Sequence, residues 1–254
     1  MKFSQTLIQL LLILALSSCK VAQVIYTGAL SQNVNESDKC FFYENDTLKV
    51  TYVFWDYKGR MAFGVYNKLD VPIYIDWKKS SFINNTKKQD YYSDRVEKRT
   101  TSVTSAYSNN LNINWSNLFG PTAVGVTIGN EVSEREERVT FIPPRSYITR
   151  TSFEILKDGT HFTLAGAEEK SVPFPDDTSR YFKSYVVKID DKSPTFIFRN
   201  FLTYSVKETF EREQYVSNEF YIRKVMTIKQ GIFDKYAFSS EKRFYIDQIN
   251  KSDL

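Results

Sequence analysis

Residues 48–55, with the sequence LKVTYVFW, form two interleaved sets of side chains. One set is Leu48, Val50, Tyr52 and Phe54, and the residues between them are also mostly apolar or β-branched. A repeat of two residues is typical of a β-strand, because successive side chains point to opposite faces of the sheet. Since both faces are bulky here, we predict a central strand. The alternation returns at residues 61–67 after a turn at residues 58–60, and together the two segments predict a β-hairpin.

The same pattern recurs along the rest of the chain. Ile73, Ile75 and Trp77 share one face of a third predicted strand, which would complete a meander with the hairpin. Pro143 and Pro144 interrupt the next strand, so we predict an edge or a corner between two sheets there. Further strands are predicted at residues 139–142, 146–156, 181–189, 195–206 and 218–229, with side chains of the last two facing each other. About eight strands without a strong amphipathic helix predict an all-β fold, an antiparallel β-sandwich.

Composition supports a folded domain with an aromatic core. The chain contains 20 Phe, 17 Tyr and 3 Trp, against only 9 Gly and 7 Pro. So much bulky apolar surface is not typical of a disordered chain. The net charge of +4 is spread along the sequence, and Lys and Arg do not cluster as they do in nucleic-acid-binding proteins. We therefore expect no nucleic-acid partner.

The first 20 residues, MKFSQTLIQLLLILALSSCK, have the features of an export signal. A basic residue, Lys2, precedes an apolar run that is too short for the roughly 20 residues of a transmembrane helix. Residues 16–19, LSSC, resemble the processing box of bacterial lipoproteins. The resemblance implies that residues 1–18 are removed, that the Cys19 thiol takes a diacylglycerol and that the new amine takes an acyl chain such as palmitate.

An alternative is an ordinary secretory signal, which would leave Cys19 able to form a disulfide with Cys40. If Cys19 is acylated, Cys40 is the only remaining thiol. Lys20 and the uncharged residues 21–23 follow Cys19. By resemblance to lipoprotein sorting, the absence of an acidic residue there implies the outer membrane, and the absence of an acidic cluster favours its periplasmic face.

The sequence divides into three regions after the signal peptide. Residues 19–46 are polar and predict a lipidated tether with one short strand at residues 24–26, and residues 47–254 form the predicted β-sandwich domain. Within this domain, residues 79–122 are a long polar excursion with one apolar stretch at residues 111–119, where we expect a short helix. A loop is expected at residues 157–179. Long excursions of this kind often carry function.

Aromatic residues in the excursion are the candidate ligand contacts. Trp115, Tyr91, Tyr92 and Tyr107 lie there among polar residues, and exposed aromatic rings stack on sugars or bind protein partners. The alternative is that Trp115 packs the excursion onto the sandwich.

Residues with catalytic chemistry are scarce. His161 is the one histidine, and imidazole metal sites and nucleophilic triads need more partners than this. Adjacent acidic pairs such as Asp190 and Asp191 point to opposite faces of a strand and do not converge on a substrate. We therefore predict no catalytic residue, no metal site and no cofactor.

Three segments carry a family resemblance. NKLDVPIYIDWKKSSFI at residues 67–83, IPPRS at residues 142–146 and FRNFLTYS at residues 198–205 are similar to uncharacterised lipoproteins of the Bacteroidota. The resemblance implies an immunoglobulin-like sandwich and supplies no activity.

These observations favour a lipid-anchored, non-enzymatic accessory or protein-binding module of the cell envelope. Its expected partners are the membrane, through the N-terminal lipid, and another envelope protein. The alternative is a glycan-binding lipoprotein that uses the aromatic residues of the excursion.

Overall fold

The computed structural model describes residues 20–93, 124–128, 137–157, 160–174, 177–229, 232 and 242–250. Every element in this part of the chain is a β-strand, which confirms the predicted all-β class. The strands are β1 (Lys20–Ala29), β2 (Val34–Glu36), β3 (Phe41–Glu44), β4 (Leu48–Val53), β5 (Arg60–Asn67), β6 (Ile73–Asp76), β7 (Ser81–Asn84), β8 (Lys87–Asp90), β9 (Val124–Ile128), β10 (Val139–Ile142), β11 (Ser146–Glu154), β12 (Glu168–Pro173), β13 (Tyr181–Lys188), β14 (Ile197–Ser205), β15 (Gln214–Lys229) and β16 (Arg243–Asn250).

The strands form two sheets. A ten-stranded sheet has the order β10-β6-β14-β15-β1-β16, with the β7–β8 hairpin paired to β14 and the β12–β13 hairpin paired to β15. A six-stranded sheet has the order β2-β3-β4-β5-β11-β9. Pairing is antiparallel except between β9 and β11. The arrangement is a β-sandwich, and it is consistent with the immunoglobulin-like fold that the resemblance implies.

Aromatic rings fill the space between the two sheets. Tyr52 of the six-stranded sheet and Phe220 of the ten-stranded sheet have ring centroids 4.9 Å apart in an edge-to-face contact. Phe54 makes similar contacts with Phe198 at 5.2 Å and with Phe220 at 5.0 Å. These rings are fully buried, so an aromatic core lies between the two sheets as predicted.

The predicted hairpin is correct, and the predicted meander is wrong. Strands β4 and β5 pair antiparallel with Leu48 opposite Asn67. Strand β6, however, crosses to the ten-stranded sheet and pairs with β10 and β14. Alternation along β6 identified its buried face correctly, since Ile73 and Ile75 are buried, but it carries no information on which sheet the strand joins.

The double proline lies at a corner between the sheets, as predicted. Strand β10 belongs to the ten-stranded sheet and β11 to the six-stranded sheet, and Pro143 and Pro144 lie between them. Proline cannot donate to a β-ladder, so the pair ends one strand before the next begins in the other sheet.

The prediction of a tether at residues 19–46 is wrong for the residues that the structure describes. Strand β1 pairs with both β15 and β16 inside the ten-stranded sheet, and Ile25 is fully buried. Strands β2 and β3 form one side of the six-stranded sheet, where Phe41 is fully buried. Apart from residues 24–26, the sequence pattern did not reveal these strands, because each strand has only a short apolar run and polar turns separate the strands.

Three further differences from the prediction concern two loops and the orientation of side chains on β15. Strands β7 and β8 occupy the start of the predicted excursion, and β12 lies within the predicted loop at residues 157–179. Phe198 faces Phe220 as predicted, but Met226 and Ile228 belong to a second apolar cluster. A register shift opposite Tyr26 leaves Arg223 without a partner in β1, and this irregularity changes the face of the residues that follow.

Candidate functional site

The structure describes two of the four aromatic candidates of the excursion. Trp115 and Tyr107 lie outside the described residues, as does Cys19. Tyr92 is half-buried and packs against the main core. Tyr91 is only 2 % exposed, so its prediction as a ligand contact is wrong. Its ring packs edge-to-face against Phe63 and Trp77, because the chain turns inward directly after β8.

Tyr91 belongs to a polar chain that crosses the core. Its hydroxyl donates to Asn200 Oδ1 at 2.7 Å, and Asn200 Nδ2 donates to the Tyr52 hydroxyl at 3.2 Å. The Tyr52 hydroxyl in turn donates to Asn218 Oδ1 at 2.7 Å. Burial raises the pKa of both tyrosines above the ordinary value, so both remain neutral donors. The chain links β4 to β14 and β15 and fixes how the two sheets lie against each other.

Arg150 lies next to Tyr91, at one end of this polar chain. Its guanidinium donates to the main-chain carbonyl of Tyr91 and lies 4.5 Å from the centre of the Trp77 ring. The side chain is buried between the sheets. Such a buried contact organises the core and offers no surface to a ligand.

His161 lies exposed in the segment before β12. Within the described ranges, no group of three or more His, Cys, Asp or Glu side chains is arranged to hold a metal ion. No helix in the described part of the chain has the length and apolar character that crossing a bilayer requires.

The outer face of the ten-stranded sheet carries a shallow groove of about 400 Å³. Neighbouring strands place Ile83, Arg199 and Glu219 in one row, and Ser81, Phe201 and Ser217 in the next. The residues that line the groove combine three cations, three hydroxyls and two apolar side chains: Lys79, Ser81, Ile83, Thr86, Lys88, Arg199, Phe201 and Ser217.

Each cation of the groove is matched by an acid. Lys79 pairs with Glu213, and Arg199 Nη1 lies 3.2 Å from Glu219 Oε1. Lys88 forms the third pair, with Asp90. The hydrogen bond between Lys79 and Glu213 raises the pKa of Lys79 and lowers the pKa of Glu213. The groove therefore presents many charged donors and acceptors with no net charge.

An aromatic pair borders the groove. Phe201 and Tyr215 stack with ring centroids 5.6 Å apart and an interplanar angle of 24°. Tyr215 is 56 % exposed, and its hydroxyl donates to Glu213 Oε2 at 3.0 Å. The ring is thus held in a fixed orientation beside the polar lining. Outward positions of β14 could have been found from its alternation, but their alignment with Tyr215 depends on the pairing with β15.

A second exposed surface lies at the end of the same sheet, and we name it the apolar edge patch. It is formed by Tyr74 and Phe141, and the exposed residues Val71 and Val206 lie near the ends of β6 and β14. Tyr74 and Phe141 are paired across β6 and β10, with ring centroids 5.8 Å apart, and Phe141 is 51 % exposed. Val206 follows Ser205, which pairs with Tyr74 on the other side.

No known protein family, curated protein or solved structure matches this chain.

Proposed function

We propose that this protein is a lipid-anchored, non-enzymatic binding module of the cell envelope that docks another protein through the apolar edge patch. The observation that carries the proposal is the exposure of Phe141 beside Tyr74. Aromatic side chains are enriched at the centres of protein interfaces, where burying them gives most of the binding free energy. The exposed Phe141 ring, in contact with the half-buried Tyr74 ring, is therefore suited to a partner.

The position of β10 adds a second means of contact. Among the described strands, β10 pairs only with β6 and forms one edge of the ten-stranded sheet. An edge strand offers main-chain donors and acceptors to an added strand of another protein. The double proline directly after β10 limits the length of such pairing to this short strand.

The charges of the groove support binding rather than acid–base catalysis. A catalytic acid or base works best with a pKa near the working pH. The pKa of Lys79 is raised and that of Glu213 is lowered, so the ion pair moves both pKa values further from neutral pH. Such groups keep their charges and act as hydrogen-bonding partners.

The lipid anchor is proposed at Cys19, in the outer membrane and on its periplasmic face. Lys20 is the first residue of β1, so an acylated Cys19 would hold the ten-stranded sheet directly at the membrane surface. Two or three acyl chains bind a membrane stably, since each buried methylene contributes about 0.8 kcal/mol. Metabolic labelling with an alkyne fatty acid should mark the wild type and not Cys19→Ser.

Site-specific photo-crosslinking tests the docking surface. A photoreactive residue in place of Phe141 should give one discrete crosslinked species in intact membranes. The matched control is the same residue in place of Tyr185, which is also exposed but lies on β13. Phe141→Glu should abolish crosslinking from a neighbouring photoreactive residue at Val71. Identical products from positions 141 and 185, or none at 141, would contradict the proposal.

Glycan binding in the groove is the second candidate, and the stacked pair of Phe201 and Tyr215 favours it. Sugar rings pack on aromatic faces, and their hydroxyls bond to charged side chains like those of the groove. A glycan array should then show binding that Tyr215→Ala abolishes. Tyr181→Ala removes an equally exposed ring from another strand and should leave the binding unchanged. An array without hits would exclude this candidate.

A further inference from the structure

Four residues form a line across four neighbouring strands. Arg243 pairs with Tyr26, Tyr26 with Lys224, and Lys224 with Lys188. Residues directly opposite in antiparallel strands point to the same face. Three cations and one tyrosine therefore share one face of the sheet, and we name this set the cationic row.

The members of the cationic row are in close contact at its centre. Lys224 Nζ lies 3.6 Å from the centre of the Tyr26 ring. The Arg243 guanidinium lies 5.6 Å from the same ring centre and donates to the Tyr26 hydroxyl at 3.2 Å. The tyrosine ring thus separates two positive charges and holds both on one side of the sheet.

The position of Lys224 is unfavourable for its positive charge. Like charges directly opposite in a sheet are destabilising, and Lys224 is opposite Lys188. Lys224 is also half-buried, next to the second apolar cluster that contains Met226. Burial, followed by the positive charges of Arg223 and Arg243, lowers the pKa of Lys224 to about 8.

Carboxylates near the row are paired with other cations. Glu168 Oε2 lies 2.7 Å from Lys170 Nζ, although its pKa is also lowered slightly by Lys188. Glu36 binds Arg223 and Lys242. In the part of the chain that the structure describes, no carboxylate forms an ion pair with Lys224.

We propose that the cationic row is a binding site for a phosphoryl group. Lys224 and Lys188 are directly opposite on strands about 4.8 Å apart, and both side chains are long and flexible enough to turn toward one phosphoryl group between them. Arg243 is buried across β1 from Lys224, and its guanidinium adds positive charge to this face of the sheet. A dianion at this position would offset the repulsion between Lys224 and Lys188. The phosphoryl group belongs either to a soluble phosphoester or to a lipid headgroup.

Calorimetric titration with inorganic phosphate tests the site. The full chain is kept in a maltoside detergent, which carries no phosphate, and chloride at matched ionic strength is the reference. Phosphate should bind saturably to the wild type and about tenfold more weakly to Lys224→Met, a loss of about 1.4 kcal/mol. The control Lys183→Met changes an exposed lysine of β13 outside the row and should bind as the wild type does.

Lys188→Gln is a second variant of the cationic row, and it tests the site even if Lys224→Met does not fold. Lys188 is exposed, so its replacement should leave the circular dichroism spectrum unchanged while phosphate affinity falls severalfold. The absence of saturable binding to the wild type, or equal affinities in the wild type and the folded row variants, would overturn the proposal.

Added phosphatidylglycerol distinguishes the two sources. If the site takes a lipid headgroup, a low mole fraction of this lipid in the micelles should displace phosphate from the wild type. If the site takes a soluble phosphoester, the phosphate titration should be the same with and without the lipid.

Discussion

The side-chain amide of Asn67 donates to the main-chain carbonyl of Pro143 at 3.0 Å, and this contact joins the end of β5 to the corner after β10. The same amide donates to the carbonyls of Val71 at 2.8 Å and Ile142 at 3.2 Å. Its oxygen accepts from the Leu69 amide at 2.9 Å. One buried side chain therefore connects the two sheets where the chain passes between them.

A salt bridge reinforces the same corner. Arg145 donates from Nε and Nη2 to the two carboxylate oxygens of Asp70, at 2.8 and 3.0 Å. The first two segments that carry the family resemblance, residues 67–83 and 142–146, thus meet at one place. The contacts between these two segments are structural.

Asn67→Ala should lower the free energy of unfolding by about 2 to 4 kcal/mol, because it leaves several buried main-chain groups without a partner. Urea denaturation checks the value. Asn33→Ala changes an exposed asparagine before β2 and should alter stability by less than about 0.5 kcal/mol. A small effect at Asn67 would mean that water replaces its hydrogen bonds at the corner.

Tyr52→Phe tests the polar chain in the core. Removal of the hydroxyl leaves Asn200 Nδ2 and Asn218 Oδ1 each without the hydrogen bond to Tyr52, at about 1 to 3 kcal/mol for each group. Thermal and urea unfolding should both show the loss. The same change at the exposed Tyr185 should be neutral. Equal stability of the two variants would show that the network does not contribute to folding.

Phe198→Ala tests the aromatic core. Phe198 is fully buried and packs on Phe54 and Phe220, so the cavity should cost about 3 to 5 kcal/mol. Tyr181→Ala, at an exposed position, provides the control for loss of an aromatic ring. A change in the free energy of unfolding below about 1 kcal/mol would be inconsistent with a Phe198 side chain that points into the core.

Alternation along the sequence predicted strands well where bulky residues recur every two positions, as in β4, β5 and β14. It failed for β12, whose sequence EEKSVP has a single apolar side chain before its terminal proline and is ordered by pairing with β13. For β1 it found only a short strand at residues 24–26, within a segment that was otherwise predicted as a tether. Which sheet a strand joins depends on long-range pairing, and the periodicity of one segment does not predict that pairing.

The candidate surfaces were less predictable than the fold. Tyr91 was selected because its neighbours in the sequence are polar, yet its side chain turns into the core. The cationic row joins residues from four strands, and Tyr26 and Lys188 are more than 150 positions apart in the chain. No local pattern brings such residues together, because register across the sheet determines which side chains are neighbours.

The stability of the protein should rise between about pH 8 and pH 10.5 through Lys224, relative to Lys224→Met. The pKa of Lys224 is lowered to about 8 from 10.5, so in this window the unfolded chain holds a proton that the folded chain has released. Below pH 8 both states are protonated, and the repulsion is fully present. The groups that act on Lys224 are Arg223 from β15, Arg243 from β16, Tyr26 from β1, Lys188 from β13 and Lys170 from β12.

Urea unfolding of the two proteins at about pH 7 and about pH 9.5 measures this difference. Lys224→Met should be the more stable protein at the lower pH, and its advantage should shrink at the higher pH. An advantage that does not change with pH would show that the lysine is not strained by its neighbours.

Thiol counting on the mature protein decides between the two predicted states of Cys19. Cys40 is buried at the start of β3, with Sγ 3.4 Å from Ser37 Oγ. If Cys19 is acylated, the mature protein should show one thiol after denaturation without reductant, and this thiol should react slowly in the folded state because it is buried. The protein should also partition into detergent, and Cys19→Ser should retain the apolar leader.

A disulfide between Cys19 and Cys40 gives the opposite result. The assay would then read no thiol before reduction and two after it. Loss of such a bridge would cost about 2 to 4 kcal/mol of stability and would not alter partitioning into detergent. A count of zero in the unreduced protein would therefore exclude the lipid on Cys19, and with it the proposed attachment of β1 to the membrane.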